Sequence, residues 1–277
     1  MSGGGQVSEH ERMAQWWSTA ISDISPGVIR LRDHDIVELL EGWDLVSVIW
    51  LMVRGTVPST EEAALLQAAM VASVDHGPQA PSIAAARMAV TCGVGLNNAI
   101  ATGVNVLGDV HGGAGQQCLE LYLEVLADEG EPDGDLDASV ARVVDRWRSR
   151  QRYLPGFGHR FHPVDPRAAP LLGLVDRAAR QGAVSGRFAR TARAVEAYLS
   201  LGRPRHVTLN IDGATAAIYG ELGFTPQLAR GLFCLSRSVG ILAHAAEEQG
   251  NGTRIKGPMP PSVLPAYTGP WPNRPAT

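Results

Sequence analysis

The stretch PQLARGLFCLSRSVGILAHAAEE, residues 226–248, decides the fold class of this chain. It begins with a proline, and its apolar residues recur at helical spacing. The same spacing recurs outward from this stretch, and few segments alternate with a period of two, so we predict an all-α fold. The other predicted helices end at Ile21 or span Asp35–Leu40, Trp43–Val53, Glu61–Val74, Pro81–Thr91, Gly95–Leu107, Gly113–Ala127, Leu136–Arg150, Arg167–Gln181, Gly186–Leu201 and Gly213–Leu222.

The bulk composition is that of an ordinary globular protein. The chain has 277 residues, of which 45% are hydrophobic and 19% are charged. This length has room for one large domain or for two modest domains that share a core. The formal charge is -4 and no basic stripe stands out, so we expect no nucleic-acid partner.

The sequence does not predict a membrane anchor or a secretory leader. The longest apolar run, Leu45–Val53, is far shorter than the roughly 20 residues that a helix needs to span a bilayer. The N-terminal residues MSGGGQVSEHER lack the charged-then-apolar pattern of a signal peptide. We therefore expect a cytoplasmic protein that does not bind a membrane.

The three cysteines, Cys92, Cys118 and Cys234, are widely spaced and form no CxxC pair. This spacing argues against a zinc ribbon and against a redox pair. We predict that all three are small buried hydrophobic residues.

Four loops between predicted helices concentrate histidine, glycine, aspartate and arginine. Such junctions present backbone N–H groups and a partial positive charge to ligands. Taken singly, each loop could instead be a capping or packing feature. A zinc site is a further alternative, but no HExxH or comparable spacing is present, so we predict no metal. The loops are DHGP at 75–78, GDVHGGA at 108–114, GFGHR at 156–160 with Asp165-Pro166-Arg167, and LNIDG at 209–213.

Arg237 lies within the apolar helix that opens this section. A charge among apolar residues is costly unless it is paired. One interpretation places Arg237 on a solvent-facing stripe of the helix. The other makes it a clamp for a carboxylate, which a guanidinium binds through two parallel hydrogen bonds.

In combination, these loops resemble the citrate synthase family in order and spacing. VHGGA at 110–114 resembles the first histidine motif of that family, and GFGHR resembles the second. LNID at 209–212 is similar to its aspartate motif, and LSRSVGILAHAAEE at 235–248 is similar to its arginine helix. RDHDIVELL at 32–40 and LMVRGTVP at 51–58 are similar to family segments, and the resemblance covers roughly residues 15 to 270.

The resemblance implies a catalytic set of His111, His159 and Asp212. Asp212 would exchange a proton with the methyl carbon of acetyl-CoA, while His111 donates a hydrogen bond to the thioester oxygen. His159 would donate to, or accept from, the oxygen at the oxaloacetate carbon. The CoA thioester is then the substrate, and neither a metal nor a redox cofactor is required.

The resemblance also implies the ligands of the substrate and the architecture. His76, Arg167 and Arg237 would bind carboxylates, and Gly156, Gly158 and Arg160 would bind CoA. The implied fold has a large helical domain, residues 1–113 and 214–277, and a small one, residues 114–213. We expect a homodimer with its sites near the interface.

Two features bear on the position of the chain within the family. DHGP at 75–78 resembles the citryl-CoA lyase module of ATP-citrate lyase. The chain is also short, so we expect it to lack the additional N-terminal elements of citrate synthases. His111, however, stands where that module has commonly lost its histidine. Gly257 occupies the place of the family's arginine from the partner subunit, for which Lys256 or Arg254 could substitute.

Three functions remain open from the sequence. The first is a citryl-CoA lyase, which cleaves citryl-CoA to acetyl-CoA and oxaloacetate, and it is the interpretation we adopt. The second is a citrate synthase or a related acyl-CoA condensing enzyme, which also hydrolyses the thioester. The third is a non-catalytic CoA-binding subunit, against which the presence of His111, His159 and Asp212 argues.

Overall fold

The structure is a computed structural model that describes residues 8–130, 134–158, 163–260 and 262–270. Over these residues the chain forms twelve helices and one small sheet, which confirms the predicted all-α class. The helices are α1 (Glu9–Trp16), α2 (Ile36–Gly42), α3 (Leu45–Arg54), α4 (Thr60–Ser73), α5 (Pro81–Thr91), α6 (Leu96–Asn105), α7 (Ala114–Glu129), α8 (Leu136–Arg150), α9 (Ala168–Arg180), α10 (Arg187–Ser200), α11 (Ile211–Glu221) and α12 (Pro226–Gly250).

The sheet is a three-stranded antiparallel meander of β1 (Ser22–Ser25), β2 (Val28–Leu31) and β3 (His34–Asp35). The sequence predicts that the first helix ends at Ile21, but α1 ends at Trp16 and the sheet begins at Ser22. Ser8 caps that helix, because its hydroxyl accepts from the Glu11 N–H while the Glu11 carboxylate accepts from the Ser8 N–H.

The chain divides into two compact units. Unit 1 comprises Met1–Ala72 and Gly115–Ala229, and unit 2 comprises Ser73–Ala114 and Arg230–Thr277. The domain division implied by the family resemblance stays a prediction. None of the described helices is long and apolar enough to cross a membrane.

The core of unit 1 surrounds α11, whose residues from Gly213 to Gly220 are all buried. Helices α9 and α10 pack directly on it. Gly220 permits the approach of α10, because a Cβ at this position would overlap the Phe188 ring. The rings of Trp50 and Phe224 pack edge to face with their centroids 5.4 Å apart, and this pair extends the core of unit 1.

The core of unit 2 is formed by α5, α6 and α12. Ile83, Ala99 and Ile241 are fully buried in it. Gly103 allows close packing, since a Cβ there would lie 2.8 Å from both Ile241 Cγ2 and the Ser82 carbonyl oxygen. Small residues thus bring α6 against the start of α5.

The cysteines differ from one another in exposure. Cys118 is fully buried in α7, as predicted, and Cys234 is half-buried. Cys92 is exposed at the end of α5, so the prediction of a buried residue is wrong there. The helix stops at Cys92, and this places the side chain beyond the last turn that packs on the core.

Candidate active site

The His111 loop joins α6 to α7 and belongs to unit 2. It closes on itself, because the Gly108 N–H donates to the His111 carbonyl oxygen over 2.8 Å. Gly112 has φ +95, a conformation that disfavours any side chain, and a Cβ there would lie 3.0 Å from the Phe233 ring. The glycine that follows His111 therefore lets the loop turn against α12.

His111 Nε2 is held by the start of α5. The Ser82 backbone N–H donates to this nitrogen over 3.2 Å, and the Ser82 hydroxyl lies 3.0 Å from it. Ala80 precedes the first turn of α5, and its methyl side chain cannot accept a hydrogen bond from the helix. His111 supplies the missing acceptor. Because a backbone N–H can only donate, Nε2 must be the unprotonated nitrogen, and the neutral ring carries its hydrogen on Nδ1.

The electrostatics of unit 2 favour the same neutral form. Burial lowers the pKa of His111 below its usual 6.5, and the positive charges of Arg237 and His76 lower it further. A neutral imidazole with Nδ1–H is a hydrogen-bond donor that does not carry a full charge. The structure therefore brings His76, His111 and Arg237 together in one electrostatic cluster.

Arg237 is buried, with 6% of its surface exposed, so the alternative of a solvent-facing stripe is wrong. Its Nε donates to the Ser73 carbonyl oxygen over 3.0 Å, and its guanidinium lies 5.0 Å from the centre of the Phe233 ring. A buried guanidinium beside two histidines suits the binding of an anion. Its predicted role as a carboxylate clamp stays a prediction.

Asp212 belongs to unit 1, in the first turn of α11. The side chain of Asn210 caps this helix, accepting from the Asp212 N–H over 2.9 Å and the Gly213 N–H over 3.2 Å. The cap is therefore Asn210, and Asp212 is not needed for it. The start of a helix also favours a negative charge, which suits the carboxylate that Asp212 becomes once it has given up a proton.

The GFG segment at 156–158 is bonded to the residues that precede α11. The Asn210 N–H donates to the Gly156 carbonyl oxygen over 3.0 Å, and Asn210 Nδ2 donates to the Gly158 carbonyl oxygen over 2.7 Å. The Gly158 N–H donates to the Thr208 carbonyl oxygen over 2.7 Å. These two glycines, predicted to bind CoA, thus form backbone pairs within the protein, and CoA binding by them stays a prediction.

Gly156 and Gly213 bring two backbones into direct contact. A Cβ on Gly156 would overlap Cys118 Sγ and lie 2.9 Å from Gly213 Cα. A Cβ on Gly213 would lie 2.5 Å from the Gly156 carbonyl oxygen. The two glycines therefore hold residues 156–158 against the start of α11. His159 and Arg160 lie outside the described residues.

Asp165 holds this part of unit 1 together, a role that the sequence does not predict. Its carboxylate accepts from Arg167 Nε over 3.0 Å and Nη2 over 2.9 Å, and from the Ile211 N–H at the start of α11 over 3.0 Å. Burial raises the pKa of Asp165, but the hydrogen bonds from Arg167 and Ile211 outweigh it and leave the pKa below its usual range. Arg167, a predicted substrate ligand, is thus already paired with a carboxylate.

Two other residues were also missed from the sequence. Ser82 lies 29 positions from His111, so no local pattern could have indicated their contact. The role of Asn210 was readable in principle, because an asparagine before a helical segment is a capping signal. Among the described residues, no three His, Cys, Asp or Glu side chains are grouped to hold a metal ion.

Similarity to known proteins agrees with this helical fold. The profile of the citrate synthase C-terminal domain matches residues 52–258, more than half of the chain. The chain therefore belongs to the citrate synthase family. Citrate synthase of Haloferax volcanii is 27% identical over 81% of this chain and 57% of its own length. The chain spans about half the length of the curated relatives it matches.

Solved structures of lyases are also similar to this chain. Citryl-CoA lyase from Hydrogenobacter thermophilus has a TM-score of 0.80 and 27% identity, covering 93% of this chain and 96% of its own. ATP citrate lyase from Methanothrix soehngenii, in complex with citrate and coenzyme A, has a TM-score of 0.75 and 20% identity, covering 96% of this chain and 45% of its own. The second similarity concerns the fold alone.

Proposed function

We propose that this protein is a citryl-CoA lyase, which cleaves citryl-CoA to acetyl-CoA and oxaloacetate. The observation that carries the proposal is the similarity to citryl-CoA lyase from Hydrogenobacter thermophilus, which covers 93% of this chain and 96% of that one. The citrate synthases it matches are longer than this chain, which spans 57% of the Haloferax volcanii protein.

His111 stabilises the thioester half of the reaction. When the C–C bond breaks, its electron pair moves onto the acetyl-CoA fragment and negative charge develops on the thioester oxygen. The Nδ1–H of His111 is the donor for this oxygen, because Nε2 is occupied by the Ser82 N–H. The lowered pKa keeps the ring neutral, so this N–H donates without transferring its proton.

His159 and Asp212 move the two protons. His159 takes the proton of the tertiary hydroxyl as that carbon becomes the ketone of oxaloacetate. Asp212, in its protonated form, delivers a proton to the methyl carbon of the enolate, which completes acetyl-CoA. The proton that His159 took then returns to Asp212 through solvent before the next turnover. All atoms and electrons of citryl-CoA are accounted for in the two products, so the reaction requires no metal and no redox cofactor.

We assign the binding of the substrate's carboxylates to His76, Arg167 and Arg237. Gly156 and Gly158 bind CoA together with Arg160. At the position of the family's partner-subunit arginine, Lys256 or Arg254 replaces the missing positive charge. Lys256 and Gly257 line a cavity of about 400 Å³ with Arg87 and Glu248, next to the start of α5.

The active protein is a homodimer in the cytoplasm that works on acyl-CoA and on small acids of the oxaloacetate and citrate type. The family resemblance supports the dimer, because the family's arginine at the place of Gly257 comes from the partner subunit. An arginine or lysine that reaches a neighbouring site is useful only when a second copy is present.

Citrate synthase activity is the second candidate, in which acetyl-CoA and oxaloacetate condense and water releases CoA. Two observations favour it. The curated relatives are citrate synthases, with 27% identity over 81% of this chain in the first case. His111 is present and held in the tautomer that enolisation requires.

One assay separates the two candidates. The purified protein is given citryl-CoA, and acetyl-CoA, oxaloacetate and free thiol are followed; it is then given acetyl-CoA with oxaloacetate. A lyase forms acetyl-CoA and oxaloacetate from citryl-CoA without free thiol. A synthase releases free thiol from acetyl-CoA and oxaloacetate. Absence of any product overturns both proposals and favours the non-catalytic CoA-binding subunit.

Variants connect the activity to the proposed residues. Asp212→Asn and His159→Ala should each lose most of the cleavage, because each removes one of the two proton transfers. His206→Ala is the control, since His206 is an exposed histidine outside the site. Cleavage by His159→Ala or Asp212→Asn at the wild-type rate would contradict the assignment of that residue.

A further inference from the structure

One face of α12 contacts both histidine loops of unit 2. We call this face the α12 stripe, and its five residues are spaced by three and four positions, so they lie along one side of the helix. Arg230 and Phe233, the first half of the stripe, contact the His111 loop. The α12 stripe consists of Arg230, Phe233, Arg237, Gly240 and His244.

The contacts of that first half are an ion pair and a packed ring. Arg230 Nη2 donates to Asp109 Oδ1 over 2.5 Å, two residues before His111. Phe233 packs beside Gly112, the residue after His111. His111 is thus bracketed by contacts to α12 on both sides.

The second half of the α12 stripe contacts the three residues that precede His76, which are Ser73, Val74 and Asp75. Arg237 Nε donates to the Ser73 carbonyl oxygen over 3.0 Å. Gly240 lies against Val74, since a Cβ there would overlap the Val74 carbonyl oxygen. One turn further, His244 Nε2 lies 3.3 Å from the carboxylate of Asp75.

Asp75 connects this face of the helix to His76. Its carboxylate accepts from the Gly77 N–H over 3.1 Å, so one side chain links the residues before and after His76. Burial raises the pKa of Asp75, but the Gly77 N–H and His244 outweigh this and lower it overall. Asp75 is therefore ionised, and His244 is the donor in their contact.

We propose that His244 is a positioning residue for substrate binding. It donates to Asp75, Asp75 closes the turn over Gly77, and the turn sets the orientation of His76, which binds a carboxylate of the substrate. This inference rests on the proposed function for the identity of the substrate. His244 acts through Asp75, so it affects the binding of the carboxylate half and leaves the chemical step unchanged.

The test compares His244→Leu with His244→Gln. The leucine cannot donate to Asp75, whereas the glutamine amide can, so the first should raise KM for citryl-CoA about tenfold and the second should restore most of it. The value of kcat should stay close to that of the wild type in both variants. Asp75→Asn should raise KM in the same direction, and adding His244→Leu to it should have little further effect because the two residues act as one unit.

The matched control is His34→Leu. His34 is also a partly buried histidine beside a carboxylate, with Nδ1 3.0 Å from Glu38 Oε1, but it lies in unit 1. This variant should leave KM at the wild-type value. An unchanged KM in His244→Leu, or an equal rise in His34→Leu, would overturn the positioning role.

A second measurement keeps the inference apart from the proposed function. The imidazole resonances of His76 can be identified by their loss in His76→Gln and then compared among variants at one pH. They should shift in His244→Leu and not in His34→Leu. If the wild type turns over no substrate, the proposed function fails, but this comparison still tests the link between His244 and His76; unmoved resonances would overturn it.

Discussion

The backbone N–H of Ser82 donates to Nε2 of His111 over 3.2 Å, and this contact leaves Nδ1 as the ring nitrogen that can act on a ligand. A serine at this position contributes in two ways, because its hydroxyl also lies 3.0 Å from the same nitrogen. The backbone contact does not depend on the side chain. The side chain of His111 is therefore bonded to the main chain at the start of α5.

The first prediction concerns this contact. His111→Ala removes the donor for the thioester oxygen and should lower kcat for citryl-CoA cleavage about 100-fold or more. Ser82→Ala leaves the backbone N–H in place, so its kcat should fall far less. Steady-state kinetics of both variants measure the difference. Equal losses in the two would mean that the hydroxyl, and not the backbone N–H, orients the ring.

The second prediction concerns pH and stability. The pKa of His111 in the folded protein lies below its usual 6.5, because of burial first and of the nearby positive charges second. The unfolded chain therefore binds the proton more readily. The stability that the neutral ring provides is complete above 6.5 and is lost as the pH falls from there through the folded pKa.

Urea unfolding of the wild type and His111→Gln measures this effect. The difference in their free energies of unfolding should be larger at about pH 7.5 than at about pH 5, since glutamine has no proton to gain. A difference that grows on acidification would mean that the folded state raises the pKa of His111.

The third prediction concerns Asp165, which is buried and paired with Arg167 while it accepts from the Ile211 N–H. Asp165→Asn leaves a partly buried guanidinium without its charge partner and should destabilise the protein by about 3 kcal/mol. Arg193→Gln is the control, because its pair with Asp176 is exposed on the surface. That variant should cost about 1 kcal/mol or less. Denaturant unfolding gives both values.

The fourth prediction concerns the contact between Gly156 and Gly213. Gly156→Ala combines a strained φ of +84 with overlap against Cys118, so it should destabilise the protein by about 3 kcal/mol. Gly182→Ala is a matched control, since φ is +77 there but no atom lies within 4 Å. Similar losses in thermal unfolding would mean that backbone strain alone is responsible, without the overlap.

Local signals explain how much of the fold was predictable. α5 and α8 begin and end at the predicted residues, Pro81–Thr91 and Leu136–Arg150. Proline opens the first, and Asp135 caps the second. The three strands were not predicted as a sheet, because strands of two to four residues are too short to show alternation.

The sequence motifs contain the residues of the candidate site. The residues that hold them in place could not be predicted. His76, His111 and Arg237, which the motifs contain, belong to the same electrostatic cluster, while their roles stay predictions. Ser82 and Asp165 support the site through contacts between segments 29 and 46 positions apart, for which a single sequence carries no pattern. Burial of Arg237 likewise depends on how α12 packs, so the sequence alone could not choose between its two interpretations.

The α12 stripe limits which changes of length this protein can accept. Every residue added to a helix rotates the C-terminal remainder of that helix by about 100° and moves it by about 1.5 Å. A single insertion between Phe233 and Arg237 would leave Arg230 facing Asp109 but turn His244 away from Asp75. Insertions and deletions in this part of α12 should therefore be far more harmful than substitutions, while the same changes within residues 262–270, which are exposed and contain no helix or strand, should be accepted.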